Sequence, residues 1–358
     1  MTTPLLSSEV MRELVECMFE KSENVFTFVH FALSSKQAFQ ALHTTLNNRL
    51  KVAISFDDSY LTIMKNTFPM LPIELSSNKI MEPVYLMCTF VKEIQVHNPR
   101  FCDKRSWPDA KKEILETCID ACRHCTKFCF CSTDEDEDMV SYTPPKIDEF
   151  ARSVSFLSVP NRYLQHLSNK FETLPLVTTL RINFSFERNA FDDQIPFGEF
   201  VPNITTLVIT LPNNNPSLNT QKPSVSWKSK VTFPKVEHFE LTRAWVRYCH
   251  IDDINFFFSF MKNLPALKTA EFHSDFVVGN YTDGKIVEDA FNRVTYPYGG
   301  VVNISLRHVF AQRSPDVDTT GFTRQNQEHK KEQTWKRTLT KAGINLHETL
   351  ILYRQYTR

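Results

Sequence analysis

The chain has 358 residues, 42% hydrophobic and 23% charged, enough apolar mass for a sizeable core. Basic and acidic residues both number 41, so the net charge is zero and no global field draws the chain to nucleic acid or to an anionic membrane. With only 7 glycines it carries no glycine-rich phosphate loop or dinucleotide fingerprint, and no nucleophile elbow or His-Glu-x-x-His motif occurs.

These absences remove the commonest routes to catalysis. A binding protein is expected, not an enzyme, with no catalytic residue and no cofactor. Met1 to Leu6 lacks the basic and apolar regions of a signal peptide. The most apolar stretches, Val25 to Leu33 and Ile254 to Met261, are shorter than the ~20 residues that cross a bilayer. The expected location is cytoplasm or nucleus, with the nine cysteines as reduced thiols.

In chain order, residues 1–50 read as a small all-helical module. Val10, Leu14, Cys17 and Met18 form one helical stripe, and Val25, Phe28, Val29, Ala32 and Leu33 a second. Ser34 or Ser35 is placed to cap a third helix carrying Ala38, Phe39 and Leu42. Three short helices bury three stripes poorly, so apolar surface should remain for a partner. Leu5-Leu6-Ser7-Ser8-Glu9-Val10 and Leu33-Ser34-Ser35-Lys36-Gln37-Ala38-Phe39 resemble the F-box, the helical motif that docks on the Skp-type adaptor of cullin ubiquitin ligases. Ser7 replaces the family's proline and Gln37 its common arginine. The resemblance implies adaptor contact through Leu5, Leu6, Val10, Leu14, Val29 and Leu33. A helical cap on the following repeats is the other reading.

Residues 51–133 read as a strand and helix region. Val52 to Phe56 and Val84 to Val91 look strand-like, as the start of the repeats or as a separate unit. Ile114, Cys118, Cys122, Cys125 and Cys129 fall on one continuous helical stripe, where reduced cysteine acts as a small buried hydrophobe. Zinc binding by the Cys118–Cys131 cluster is the competing reading, with Cys102 and His124 helping if that helix breaks. Residues 134–146, opening Asp-Glu-Asp-Glu-Asp, read as an exposed linker.

Residues 147–315 carry the clearest pattern. Leu174-Pro175-Leu176-Val177-Thr178-Thr179-Leu180-Arg181-Ile182 aligns without gaps with segments starting at Val201, Phe233 and Leu264. All four read apolar, Pro, x, apolar, x, x, apolar, x, apolar, roughly thirty residues apart. Each proline is expected to stop a helix and lead into a strand. The last two apolar residues of each copy share one strand face and point inward. Arg181, Asn183, Thr206, Thr210, His238, Glu240, Thr242, Glu271 and His273 then point outward. Helical spacing precedes the first copy at Tyr163, Leu164, Leu167 and Phe171, and the fourth at Phe257, Phe258 and Met261. Degenerate copies are expected at Ala151, Val154 and Phe156, at Val302, Ile304 and Leu306, and at Leu346, Leu350 and Leu352.

This pattern resembles the leucine-rich repeat family over about Ile147 to Leu306. The family's buried Asn or Cys is replaced by Ser185, Pro212, Ala244 and Asp275, so an irregular stack is expected. Residues 316–358 read as a solvated helix, Arg324 to Lys341, and a capping strand.

The expected fold is thus α/β: an irregular leucine-rich-repeat solenoid of parallel strands and outer helices, preceded by an F-box-like helical module. The two resemblances imply a substrate-recognition subunit of an SCF-type ubiquitin ligase, binding a Skp-type adaptor, through it a cullin, and an unidentified target protein on Arg181, Asn183, Thr206, Thr210, His238, Glu240, Glu271 and His273. No nucleic acid and no membrane are expected as partners. A repeat scaffold without a ubiquitin link is the alternative, and a zinc protein built on Cys118–Cys131 the second.

Overall fold

The fold is seen in a computed structural model. It describes residues 7–21, 25–46, 50–55, 60–65, 68–74, 88–89, 91–97, 116–122, 124–131, 145–183, 197–211, 232–246, 251–276, 284–298, 301–310, 321–325, 332–341 and 343–353. The protein is mixed α/β and rich in parallel strand pairs, in two compact units, Met1–Val159 and Pro160–Arg358. No described helix is long and apolar enough to cross a membrane.

The first unit opens with three helices, α1 (Ser8–Lys21), α2 (Val25–Ser34) and α3 (Lys36–Leu46). Ser7 caps α1, its hydroxyl accepting from the Val10 N–H at 3.2 Å. Ser35 caps α3 in the same way, accepting from Ala38 at 3.0 Å. Val15, Phe28, Ala38 and Leu42 form a fully buried core. The inward stripe of α1 is Met11 and Val15, one position on from the expected Val10, Leu14 and Cys17, which face outward. Both frames recur at helical spacing, so the apolar arc is wider than the neighbouring helices cover.

Five strands follow with parallel or hairpin pairing: β1 (Leu50–Ser55), β2 (Tyr60–Lys65), β3 (Phe68–Glu74), β4 (Val91–His97) and β5 (Lys127–Cys131). After α4 (Pro145–Ser153) comes β6 (Phe156–Pro160). β1 to β3 are antiparallel, whereas β1, β4, β5 and β6 run parallel. β4 begins at Val91, where the expected strand ended. Of the acidic linker, residues 134–144 lie outside the described residues.

The second unit contains α5 (Asn161–Lys170), β7 (Thr179–Asn183), α6 (Phe197–Phe200), β8 (Thr206–Leu211), β9 (His238–Val246), α7 (Ile251–Phe260), β10 (Thr269–Phe276), α8 (Gly284–Arg293) and β11 (Val302–Phe310). It closes with β12 (Thr323–Gln325), β13 (Glu332–Lys341) and β14 (Ile344–Tyr353). Of the helix expected over Arg324 to Lys341, residues 324–325 and 332–341 are strand, and residues 326–331 lie outside the described residues. Its polar composition suits a strand with one solvated face, and Gly343, at φ 76°, turns β13 back onto β14 as an antiparallel hairpin.

The four proline-led nonapeptides lie side by side, parallel and in register. Leu180, Leu207, Phe239 and Ala270 face one another across β7 to β10, as do Ile182, Ile209, Leu241 and Phe272. All eight are buried. Each copy opens with a turn in which the fourth residue's N–H reaches the first residue's carbonyl, as from Leu267 to Leu264 at 3.2 Å. Proline at the second position thus serves a turn and not only the end of a helix. The fifth carbonyl then accepts two N–H groups of the next copy: Thr178 from Thr205 and Thr206, Thr205 from Glu237 and His238, Glu237 from Lys268 and Thr269.

The same signature appears three more times in the first unit, without proline. Cys88, Val91, Ile94 and Val96 form one copy, Cys122, Cys125, Phe128 and Phe130 the next, and Ala151, Val154, Leu157 and Val159 the third. All twelve side chains are buried. Cys125 donates its N–H to Cys122 at 3.0 Å, and the Thr126 carbonyl accepts from Ser155 and Phe156. The copy expected at Ala151, Val154 and Phe156 is thus real but misframed. Phe156 is only partly buried, and its inward strand pair is Leu157 and Val159.

Helix α7 covers the inward face of β9 and β10 with aromatic rings. Phe239 meets Phe260 at 4.9 Å and Phe257 at 5.5 Å, and Phe257 meets Phe272 at 5.7 Å. Gly198 in α6 lies so near the Thr232 backbone that an added Cβ would meet its carbonyl oxygen at 2.5 Å. Urea unfolding of variants checks this arrangement. Phe239→Ala is expected to cost about 3–5 kcal/mol and Gly198→Ala about 1–3 kcal/mol, whereas outward Thr206→Ala should stay within about 0.5 kcal/mol.

Candidate functional site

Two surfaces and one side-chain cluster stand out. The first surface lies on the helical module. Val10 and Leu14 are 45% and 42% exposed, one turn apart on α1, and Cys17 continues their line. Leu33 on α2 is 72% exposed and Phe39 on α3 37%. Of the residues expected to touch an adaptor, Val10, Leu14 and Leu33 are therefore available. Val29 is not: it is 4% exposed and packs in the module's own core. Leu5 and Leu6 lie outside the described residues. Between α1 and α3 an open groove of about 440 Å³ is lined by Ser8, Glu9, Arg12, Gln37, Gln40, Ala41 and Thr44. The sequence reading missed it, although Glu9 and Arg12, and Gln37, Gln40 and Thr44, recur at helical spacing.

The second surface is the outward face of β7 to β10. Register sorts its residues into rows. Thr179, Thr206, His238 and Thr269 form one; Arg181, Val208, Glu240 and Glu271 the next; Asn183, Thr210, Thr242 and His273 the third. β11 extends the rows with Asn303, Ser305 and Arg307. All eight residues expected to bind a target thus lie on this face, partly buried by their neighbours. Short contacts hold several in place. His238 Nδ1 is 2.6 Å from Thr269 Oγ1, Thr242 donates its hydroxyl to Glu240 at 2.9 Å, and His273 Nε2 is 2.9 Å from Glu271. Val208, only 4% exposed, is the apolar exception in the middle row.

The cluster is made of thiols. The continuous helix expected through Cys129 ends early: residues 116–121 are helical, Cys125 lies in a turn, and Phe128 and Cys129 lie in β5. The alternation of Phe128 and Phe130 with Lys127 and Cys129 won over the i, i+4 spacing of the cysteines. Cys88, Cys118 and Cys122 are at most 2% exposed, and the Cys88 thiol hydrogen-bonds with those of Cys118 and Cys122. Cys125 turns to the Lys127 carbonyl at 3.2 Å, and Cys129 Sγ lies 3.7 Å from Glu93 Oε1 on the outward side. Among the described residues no group of three or more His, Cys, Asp or Glu side chains is arranged to hold a metal ion. Cys88 and Cys122 instead occupy the repeat position filled by Leu174, and Cys125 that of Val177.

Their environment opposes ionisation. Burial pushes the Cys125 thiol up to about 11. The hydrogen bond with Cys88, followed by burial, raises Cys118 well above the ordinary thiol range. For Cys88 the hydrogen bond from Cys118 pulls downward, but the bond to Cys122 and burial outweigh it and the net shift is upward. No family model and no curated protein matches the chain.

Iodoacetamide labelling at pH 8, mapped by mass spectrometry, tests the thiol assignment. Exposed Cys17 should react at least about a hundredfold faster than Cys88, Cys118, Cys122 or Cys125, because the thiolate is the nucleophile and burial suppresses it. Comparable rates would mean that the cluster is open.

Proposed function

We propose that this protein is a substrate-recognition subunit of a cullin-type ubiquitin ligase, as the two sequence resemblances imply. The helical module docks on a Skp-type adaptor through Val10, Leu14, Leu33 and Phe39. The in-register strands form an irregular leucine-rich-repeat solenoid whose outward rows bind a target protein. The observation that carries this reading is the module itself. Three helices, two of them capped by serine, enclose a core and still leave the large apolar side chains of Val10, Leu14 and Leu33 largely in water, where a lone domain gains nothing from them.

The chemistry asked of such a protein is positional. It holds a target rigidly, so that acceptor lysines on the target reach a high effective concentration beside a ubiquitin thioester carried elsewhere in the assembly. None of its own side chains has to take part in bond making. The outward rows supply hydroxyl, amide, imidazole and carboxylate groups on rigid strands, which suits recognition of a folded partner's polar surface.

The alternative, a repeat scaffold with no ubiquitin link, uses the same strand face but not the helical stripe. Binding of purified Skp-type adaptor to the full chain separates them. Leu14→Asp should weaken adaptor binding about thirtyfold or more, the loss of a ~2 kcal/mol hot spot, while leaving unfolding free energy within about 0.5 kcal/mol. Unchanged binding, or no binding by the parent chain, would reject the adaptor assignment. The doubly substituted Glu240→Lys, Glu271→Lys chain should keep the adaptor and lose the target proteins that co-purify with the parent; retention of both would remove the strand face from recognition.

A further inference from the structure

The inward positions of β7 to β10 are apolar at the second place of every strand pair, but the sequence breaks this rule at the end of the sheet. β11 continues the column with Leu306, and the next residue in register, on β14, is Glu348. Glu348 is 1% exposed and points into the interior where its counterparts are Ile182, Ile209, Leu241 and Phe272. One step along β11, His308 also faces inward and is fully buried. A buried carboxylate is strongly unfavourable unless charge and hydrogen bonds compensate it.

The compensation comes from the terminal hairpin. Arg337 on β13 stands opposite Glu348 in register and donates Nε–H to its carboxylate at 2.7 Å. The other carboxylate oxygen lies 3.6 Å from His308 Nε2. The Arg337 guanidinium sits over the Phe322 ring at 4.5 Å and reaches Glu288 of α8 at 3.7 Å. Phe272 of β10 and His308 meet in a T-shaped contact, ring centroids 6.1 Å apart. Glu348 from β14 and Arg337 from β13 are charged groups acting on His308, β10 contributes an apolar ring, and buried Arg243 of β9 lies in the same inward row beyond Ser274.

We propose that Arg337, Glu348 and His308 form an acid-sensitive latch that holds the β13–β14 hairpin against β11 and releases it in weakly acidic surroundings. At neutral pH the buried Glu348 carboxylate is matched by Arg337, which also reaches half-exposed Glu288, with His308 neutral. Adding a proton to His308 puts a second cation beside the Glu348 carboxylate in the buried interior. Burial lowers the tendency of His308 to take that proton and outweighs the opposing pull of the Glu348 carboxylate, with Arg337 adding to the lowering. The opened chain binds the proton more readily than the closed one, so closure is favoured above the ordinary histidine value of about 6.5 and weakens as pH falls below it. The weakening falls on the hairpin first, because among the described residues β13 pairs with the parallel strands through β14 alone. β14 carries Asn345, His347 and Thr349 in the three outward rows, so release also shortens the face read above as the target surface. That consequence rests on the functional reading, whereas the latch does not.

Limited proteolysis of the full-length chain tests it, with rates normalised to an unstructured peptide and cuts mapped by mass spectrometry. Cleavage beyond Phe310 should rise at least tenfold from pH 7.5 to pH 5.0, while cleavage within residues 1–159 changes less than threefold. His308→Gln should abolish the rise. Should that variant open at both pH values, His308→Phe, which fills the site with a neutral ring, decides: loss of the pH dependence supports the latch and persistence overturns it. An equal rise in both units, or an unaltered rise in His308→Gln, also overturns it.

Discussion

Everything in the repeat region depends on one sharing arrangement between neighbours. A strand of five or six residues with two inward side chains has no core of its own. It becomes stable when the next copy places its pair in register and donates two N–H groups to the same carbonyl. Because side chains alternate in a strand, a slip of one residue would send the inward pair to solvent and the polar neighbours inside. The shared carbonyl and the proline turn fix that register locally. The aromatic contacts of α7 with Phe239 and Phe272 fix it from the side.

Much of this was legible in the sequence because proline marks the turn. Pro175, Pro202, Pro234 and Pro265 aligned four segments, and those four lie side by side in the expected direction and frame. The copies at Cys88 and Cys122 were hidden for two reasons. Thr89 and Arg123 stand where proline would announce them, and cysteine in place of leucine suggested helix packing or metal chemistry. The Ala151 copy was visible but framed from its helix and not from its strand. On α1 two apolar frames compete at the same spacing, and only tertiary contact chooses Met11 and Val15 over Val10 and Leu14. The C-terminal hairpin was lost because Arg324 to Lys341 has the composition of a solvated helix, and the signal against it was a single glycine, Gly343.

Errors of frame matter for function more than errors of element type. The outward stripe of α1 contributes to docking in the proposed account because the inward one is already satisfied. Val29 leaves the docking set for the same reason. The eight residues expected on the target face were read correctly as outward, since their orientation follows from the inward pair beside them. What the sequence could not supply was their mutual support, such as Thr242 on Glu240 and His273 against Glu271, which joins residues on one strand across the pleat. The proposed ubiquitin-ligase role uses both surfaces and assigns no chemistry to the thiols, which serve the core.

Methyl nuclear Overhauser contacts in isoleucine-, leucine- and valine-labelled protein test the in-register stack most directly. Neighbouring strands stand about 4.8 Å apart, so cross-peaks should join Ile182 to Ile209, Ile209 to Leu241, and Leu180 to Leu207. Peaks linking Leu180 to Ile209 and Ile182 to Leu207 instead, as antiparallel pairing would give, or no peaks between these copies, would contradict the shared-carbonyl stack and the binding face built on it.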